Sequence, residues 1–275
     1  MVKTRIEWKL EHKQILNKLQ FGFRKGKGIN DSLTILSSIV GNGFSQGIKT
    51  MIGFLDMKGA YDHVNVDVLM TKFIELGIHQ DICMYIKNIL SNRRIYVNDF
   101  QKNRLVGPGF TNKGLAQGFP LAPLLFNVYI NNLKDFISDG VIMLQYADGI
   151  VLAIQGHNLN MMADKMNETL ANLETWLQET EISFSPLKSA CMLFQNKAEN
   201  GIPVVRLHDV IIPWVEKFKY LGVIFDKGYT WKNQVEMMCA KAIKGTNVMK
   251  FFAKTWWGSH PLLLYILVLL HPSLC

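Results

Sequence analysis

Two carboxylates carry the first hint of chemistry in this chain. Asp56 closes the apolar run Met51-Ile52-Gly53-Phe54-Leu55, and Asp148 sits in Leu144-Gln145-Tyr146-Ala147-Asp148-Gly149-Ile150-Val151-Leu152. An Asp-Gly pair between apolar runs is a strong hairpin signal, with Gly149 expected to supply the positive backbone angle of the turn. Taken alone, that pattern describes an ordinary hairpin. Two strands that each deliver an aspartate can instead, as neighbours in one sheet, set both carboxylates on a divalent metal pair, the minimal arrangement for phosphoryl transfer. Ninety-two residues separate the two aspartates, so only folding could bring them together.

The elements that must position them read as follows. A basic amphipathic helix is predicted over Arg5–Leu19, then a Gly-rich basic loop, Gln20 to Gly28, which could cradle phosphate or be a solvated turn. A helix follows over Leu33–Val40, capped by Asn30-Asp31. After the Asp56 strand come helices over Val64–Leu76 and Ile82–Leu90, and short strands over Arg94–Val97 and Leu105–Gly107. The loop Gly114–Pro120 opens a helix running to Leu133, with Pro123 in its first turn. Beyond the Asp148 hairpin, Met162, Met166, Leu170, Leu173 and Leu177 mark one face of a long helix, with the methionines as core filler. Strands are predicted at Ala190–Phe194, Val204–Leu207 and Tyr220–Phe225, with helix resuming near Trp231. This order implies an α+β fold, a small antiparallel sheet backed by helices.

The 275 residues, 49% hydrophobic and 19% charged, suffice for a substantial core and exclude a disordered chain. The net charge of +8 is uneven: residues 1–27 carry +6, residues 216–275 carry +5, and the middle carries −3. Basic ends around an acidic centre suit a protein that grips a polyanion and holds cations centrally, although Lys-rich solvated helices give the same total. Cys83, Cys191, Cys239 and Cys275 are scattered, which points to a reducing compartment and away from zinc. Lys3, Arg5 and Glu7 interrupt any apolar N-terminal run, so no signal or transit peptide is evident. Leu262–Leu270 is apolar but too short to span a bilayer, and no membrane role is expected.

Read together, the motifs resemble a known family. Phe54-Leu55-Asp56 with Ala60-Tyr61-Asp62, then Gly118 through Asn127, Tyr146-Ala147-Asp148, Ser185-Pro186-Leu187-Lys188-Ser189 and Phe218 through Val223 stand in the order of a reverse transcriptase palm. With Gln20-Phe21-Gly22-Phe23-Arg24 and the tail Trp256 to Pro261, the chain looks most like the jockey-type non-LTR (LINE-like) retrotransposon enzymes of insects. The resemblance implies a right-hand polymerase fold: partial fingers over 1–50, a palm with inserted fingers elements over 51–215, and a primer-grip region with truncated thumb over 216–275. It implies an RNA-directed DNA polymerase that extends a DNA primer on an RNA template with dNTPs. Asp56 and Asp148 would bind two Mg²⁺, for which Mn²⁺ can substitute, and Lys188 would protonate the leaving pyrophosphate. Tyr61, Gln117, Gly118 and Arg24 would contact the nucleotide, Tyr61 by excluding a 2′-hydroxyl. Tyr220, Leu221 and Gly222 would hold the primer terminus, and Lys232, Lys241 and Lys244 would follow the duplex phosphates. The resemblance also implies work in cytoplasmic ribonucleoprotein, in the nucleus or in both, with another retroelement protein as a further expected partner, and leaves the localisation of this chain open.

Three positions depart from the family pattern. Gly149 stands where the family has a second carboxylate, and Ala116 and Phe119 stand where it more often has Pro and a small residue. Gly149 removes negative charge near the metals, so the alternative reading is a relic that keeps the fold and nucleic-acid binding without turnover.

Overall fold

The computed structural model describes residues 1–99, 102, 104–195, 201–253 and 260. Two compact units divide the chain, Met1–Val215 and Glu216–Cys275. In the first, helix α1 (Val2–His12) and helix α2 (Ile29–Gln46) precede strand β1 (Lys49–Lys58). Helices α3 (Val66–Glu75) and α4 (Gln80–Leu90) lead to the paired strands β2 (Arg93–Asp99) and β3 (Arg104–Thr111). Helix α5 (Ala122–Tyr129) follows, then β4 (Ile142–Tyr146), β5 (Gly149–Gly156) and the 22-residue helix α6 (Leu159–Thr180). The short strands β6 (Ser183–Phe184), β7 (Ala190–Phe194), β8 (Arg206–Leu207) and β9 (Val210–Ile211) complete the unit.

Strand β1 is the spine of the main sheet. It pairs antiparallel with β5 on one side and with β7 on the other, β4 lies outside β5, and the end of β1 pairs with β6. Six consecutive residues of β1 are buried, which requires cover on both faces. Side chains alternate along a strand, so Thr50 and Gly53 point to opposite faces. A methyl group at Gly43 of α2 would collide with the Thr50 hydroxyl, and one at Gly53 would press on Met166 of α6. Helices α2 and α6 therefore sandwich the sheet.

Several boundaries differ from the periodicity reading. The first helix stops at His12, where the chain turns through Lys13 and a left-handed Gln14 and the Ile15 N–H returns to the Leu10 carbonyl. Val204–Leu207 contributes only Arg206–Leu207 as strand. In the second unit the stretch Tyr220–Phe225 is a hairpin, β10 (Lys217–Tyr220) and β11 (Val223–Asp226), turned by Leu221 and Gly222, both at positive φ. Asp226 accepts the N–H groups of Thr230 and Trp231 ahead of helix α7 (Lys232–Ala253). Among the described residues no helix is long and apolar enough to cross a membrane, and Leu262–Leu270 lies outside them.

Candidate active site

The register of β1 against β5 brings the two aspartates together. Asp56 pairs with Gly149, and the Met57 N–H donates to the Asp148 carbonyl at 3.2 Å. Lys188 arrives from the turn after β6: its Nζ lies 3.4 Å from Asp56 Oδ2, and the Ser185 N–H holds the Asp56 carbonyl at 2.8 Å. Burial raises the Asp148 carboxyl above its ordinary range; the Asp56 charge adds to that, while a backbone hydrogen bond and the Lys188 ammonium oppose it. Two like charges in a partly desolvated place are stabilised by nearby cations.

The turn that carries Asp148 is not built as its sequence suggests. Tyr146 pairs with Gly149, so the loop is Ala147-Asp148, and the positive φ of 53° falls on Ala147. Gly149 is an ordinary strand residue, and a methyl group there would meet only the Tyr146 carbonyl at 3.4 Å. Its glycine character answers no need of the turn.

Tyr61 stands beside this pair. Its ring stacks on Phe126 with centroids 5.0 Å apart, and burial, then the Asp148 charge, pushes its hydroxyl up to about 12. The Leu115 N–H donates to the Tyr61 carbonyl at 2.7 Å, tying the Gln117-Gly118 loop to the aspartates' surroundings. Gly114 makes that approach possible, since a methyl group there would lie 2.7 Å from the Asp62 carbonyl. Gln117 and Gly118 are exposed, Gly118 at φ 84°, and Phe119 packs against the core.

Arg24 has a different occupation from the expected nucleotide contact. Its Nε and Nη2 hold both oxygens of Glu11 at 2.7 and 2.6 Å, and Nη1 donates to the carbonyls of Asn17 and Gln20. Bidentate pairing of this kind uses up the planar fork, so Arg24 braces the loop after α1. That loop is a support: the Phe21 N–H donates to the Gln145 carbonyl, the Gln145 N–H donates to Leu19, and Asn127 Nδ2 donates to the Gly22 carbonyl. A methyl group at Gly22 would sit 2.4 Å from the Ala147 nitrogen. Gly22 and Asn127 thus position the Asp148 turn, a role that nothing in their local spacing announces. The remaining expected contacts, Tyr220, Leu221 and Gly222, belong to the second unit, where Tyr220 is buried and the other two form the β10–β11 turn.

Among the described residues no group of three or more His, Cys, Asp or Glu is gathered for a metal. The Asp56–Asp148 pair nevertheless fits Mg²⁺, a hard cation that takes one or two carboxylates, keeps waters and completes its shell with substrate phosphates.

An antiparallel sheet flanked by helices, with one aspartate on β1 and another in the turn that enters its neighbour β5, defines a right-hand polymerase palm. Telomerase from Candida tropicalis, in its apo form truncated from the C-terminal domain, shares the fold with a TM-score of 0.57 at 12% identity, covering 82% of this chain and 43% of that one. The chain belongs to the family of reverse transcriptases (RNA-dependent DNA polymerases), whose model matches residues 1–225. Relatives include the RNA-directed DNA polymerase from mobile element jockey of Drosophila funebris, 24% identical over 241 residues, covering 86% of this chain and 26% of the relative. The Pol polyprotein from type-1 retrotransposable element R2 of Nasonia vitripennis is 24% identical over 228 residues, covering 77% of this chain and 22% of the relative. The likeness to insect non-LTR retrotransposon enzymes holds, and the chain spans about a quarter of their length.

Proposed function

We propose that this chain is an RNA-directed DNA polymerase domain that extends a DNA primer on an RNA template. The observation that carries the reading is the juxtaposition of Asp56 and Asp148 across β1 and β5, with the Lys188 ammonium 3.4 Å from Asp56. In this reaction the primer 3′-hydroxyl attacks the α-phosphate of a dNTP and pyrophosphate leaves. Asp56 and Asp148 would hold two Mg²⁺, or Mn²⁺ in their place, and when bound these ions supply the positive charge that offsets the developing phosphate charge. Lys188 brings a proton donor to the same edge for the leaving pyrophosphate. Tyr61, stacked on Phe126, would set its ring against the sugar and exclude a ribose 2′-hydroxyl. Gln117 and Gly118 lie exposed for the incoming nucleotide and template, and the Tyr220–Gly222 turn would hold the primer end.

Primer extension on an RNA template with Mg²⁺ or Mn²⁺ tests this. Loss of even an outer-shell partner of a metal typically lowers activity about 10- to 100-fold, so Asp56→Asn and Asp148→Asn should each lower synthesis by more than about 100-fold. Synthesis unchanged in Asp56→Asn would refute the proposal. The second reading, a fold retained without turnover, rests on Gly149; primer extension by the Gly149→Asp variant and not by the chain itself would assign the loss to that residue.

A further inference from the structure

The β2–β3 ribbon is the part of the first unit that its own core does not explain. Its strands pair only with each other among the described residues, and both are exposed almost from end to end. Large apolar side chains nevertheless project from it: Phe110 is 69% exposed, Leu105 65% and Val97 62%, with Ile95, Tyr96 and Val106 about half exposed. An isolated two-stranded ribbon is marginal in water, and apolar side chains concentrated on one mark a contact surface.

Charge says what kind of partner. Residues 93–113 carry five Lys or Arg against one Asp. The register sets Arg94 opposite Phe110 and Arg104 opposite Asp99, with Val97 opposite Val106 between them, and cross-strand partners share a face. Side chains alternate along β2, so Arg94, Tyr96 and Phe110 share one face, while Val97, Asp99, Arg104 and Val106 lie on the other. The first face sets two exposed aromatic rings beside a cation. Stacking on aromatic rings together with cationic contacts to the backbone is how single-stranded nucleic acid is held.

The base of the ribbon lies beside the candidate active site. A cavity of about 400 Å³ is lined by Asp62, Arg93, Arg94, Lys113 and Gln117. Arg93 donates to the carbonyls of Lys113 and Gly114 at 2.6 and 2.7 Å, which clamps the ribbon to the Gln117 loop. Glu181 meets the Lys113 charge and Asp62 faces the cavity, so Arg93 and Arg94 supply its positive side. A strand lying along Gln117 would leave the site through this cavity and onto the ribbon.

We propose that the β2–β3 ribbon binds single-stranded RNA on the face of Arg94, Tyr96 and Phe110, stacking bases on Tyr96 and Phe110 and holding phosphate with Arg94. The direction of that strand rests on the polymerase reading, as template outside the site; the binding itself does not.

The test uses the full chain and a fluorescent 12-nucleotide oligouridylate, followed by anisotropy at several salt concentrations. The double variant Tyr96→Ala/Phe110→Ala should weaken binding about 10-fold or more. Arg94→Ala should weaken it and lower the salt slope by about 0.7, for one phosphate contact. An abasic oligomer of equal length should respond to the arginine variant and not to the aromatic one. These side chains are exposed, so thermal melts should match the parent chain. Oligouridylate binding unchanged in both variants overturns the proposal. So does a parent chain that elutes as a dimer and becomes monomeric in the variants without loss of RNA binding, because the ribbon would then contact protein. Asp56→Asn serves as the separating control: it should bind RNA normally while losing synthesis, so the two readings can fail independently.

Discussion

Gly149 has the largest chemical consequence of any single residue in the site. Its backbone is not in the left-handed region, and the space around a Cβ there is open except for the Tyr146 carbonyl at 3.4 Å. Gly149→Asp should therefore fold, and it places a third carboxylate beside Asp56 and Asp148. Like charges repel, so without divalent ions the variant should melt below the parent chain. A ligand that binds only the folded state stabilises it in proportion to its affinity, so added Mg²⁺ should raise the variant's Tm more than the parent's. Melting curves with and without added Mg²⁺ check this; equal Mg²⁺ responses would show that position 149 does not face the ions. The aspartates themselves were legible as carboxylates ending apolar runs. Which residue bends the turn was not, because an Asp-Gly pair in sequence does not disclose that the register starts β5 at Gly149 and leaves Ala147 with φ 53°. Arg24 escaped for a similar reason: its partner Glu11 lies 13 residues back on a helix whose end the apolar spacing misplaces.

At the scale of elements, the Asp148 hairpin is held from below by a loop rather than by its own turn. Gly22 presses against the Ala147 nitrogen, with its carbonyl fixed by Asn127 from α5. Gly22→Ala drives a methyl group into backbone at 2.4 Å, where no side chain can swing away. Overpacking of this kind costs about 1–3 kcal/mol, and the displaced turn should lower primer extension as well. Ala147→Gly acts oppositely. Relief of the left-handed alanine is worth about 1–2 kcal/mol and added chain entropy removes about 0.5–1, a net gain between about 0 and 1.5 kcal/mol. Thermal melts of both variants should move in opposite directions, and movement in the same direction would refute the support assigned to this loop. The elements read best from sequence are those with long apolar runs or stripes, β1, β7 and α6. The strand reading of Tyr220–Phe225 ran through the β10–β11 turn, which only the family resemblance marked, because Leu221 takes a positive φ without being Gly, Asn or Asp and the turn carries half of the usual signal.

Across the whole first unit, one buried cation sets how stability responds to pH. Lys72 of α3 donates to the Tyr129 carbonyl and to Asn132 Oδ1, with its ammonium 4.9 Å from the Tyr129 ring and 5.8 Å from the Trp176 ring. Burial pulls its pKa down to about 8 from 10.5, while Glu179 and Glu75 oppose the shift. A folded-state value below the unfolded one means that the unfolded chain binds the extra proton between pH 8 and 10.5, so stability rises with pH across that interval. Cys191 works in the other direction: burial pushes its thiol from 9.0 up to about 12, so above pH 9 the unfolded chain loses a proton that the folded one keeps. Tyr129, up to about 12 from 10.0 through burial, joins it above pH 10. Stability should therefore climb from pH 8 to 9 by at most about 1.4 kcal/mol per pH unit, level off while Lys72 and Cys191 oppose each other, and fall beyond pH 10. Lys72→Met removes the climb and leaves the fall. Melting temperatures of parent and variant at half-unit steps from pH 7.5 to 10.5, covering the interval set by these groups, decide it. Parallel curves for the two chains would mean that Lys72 titrates in the folded protein as it does in water, and that the cradle of Tyr129, Asn132 and Trp176 does not hold a desolvated ammonium.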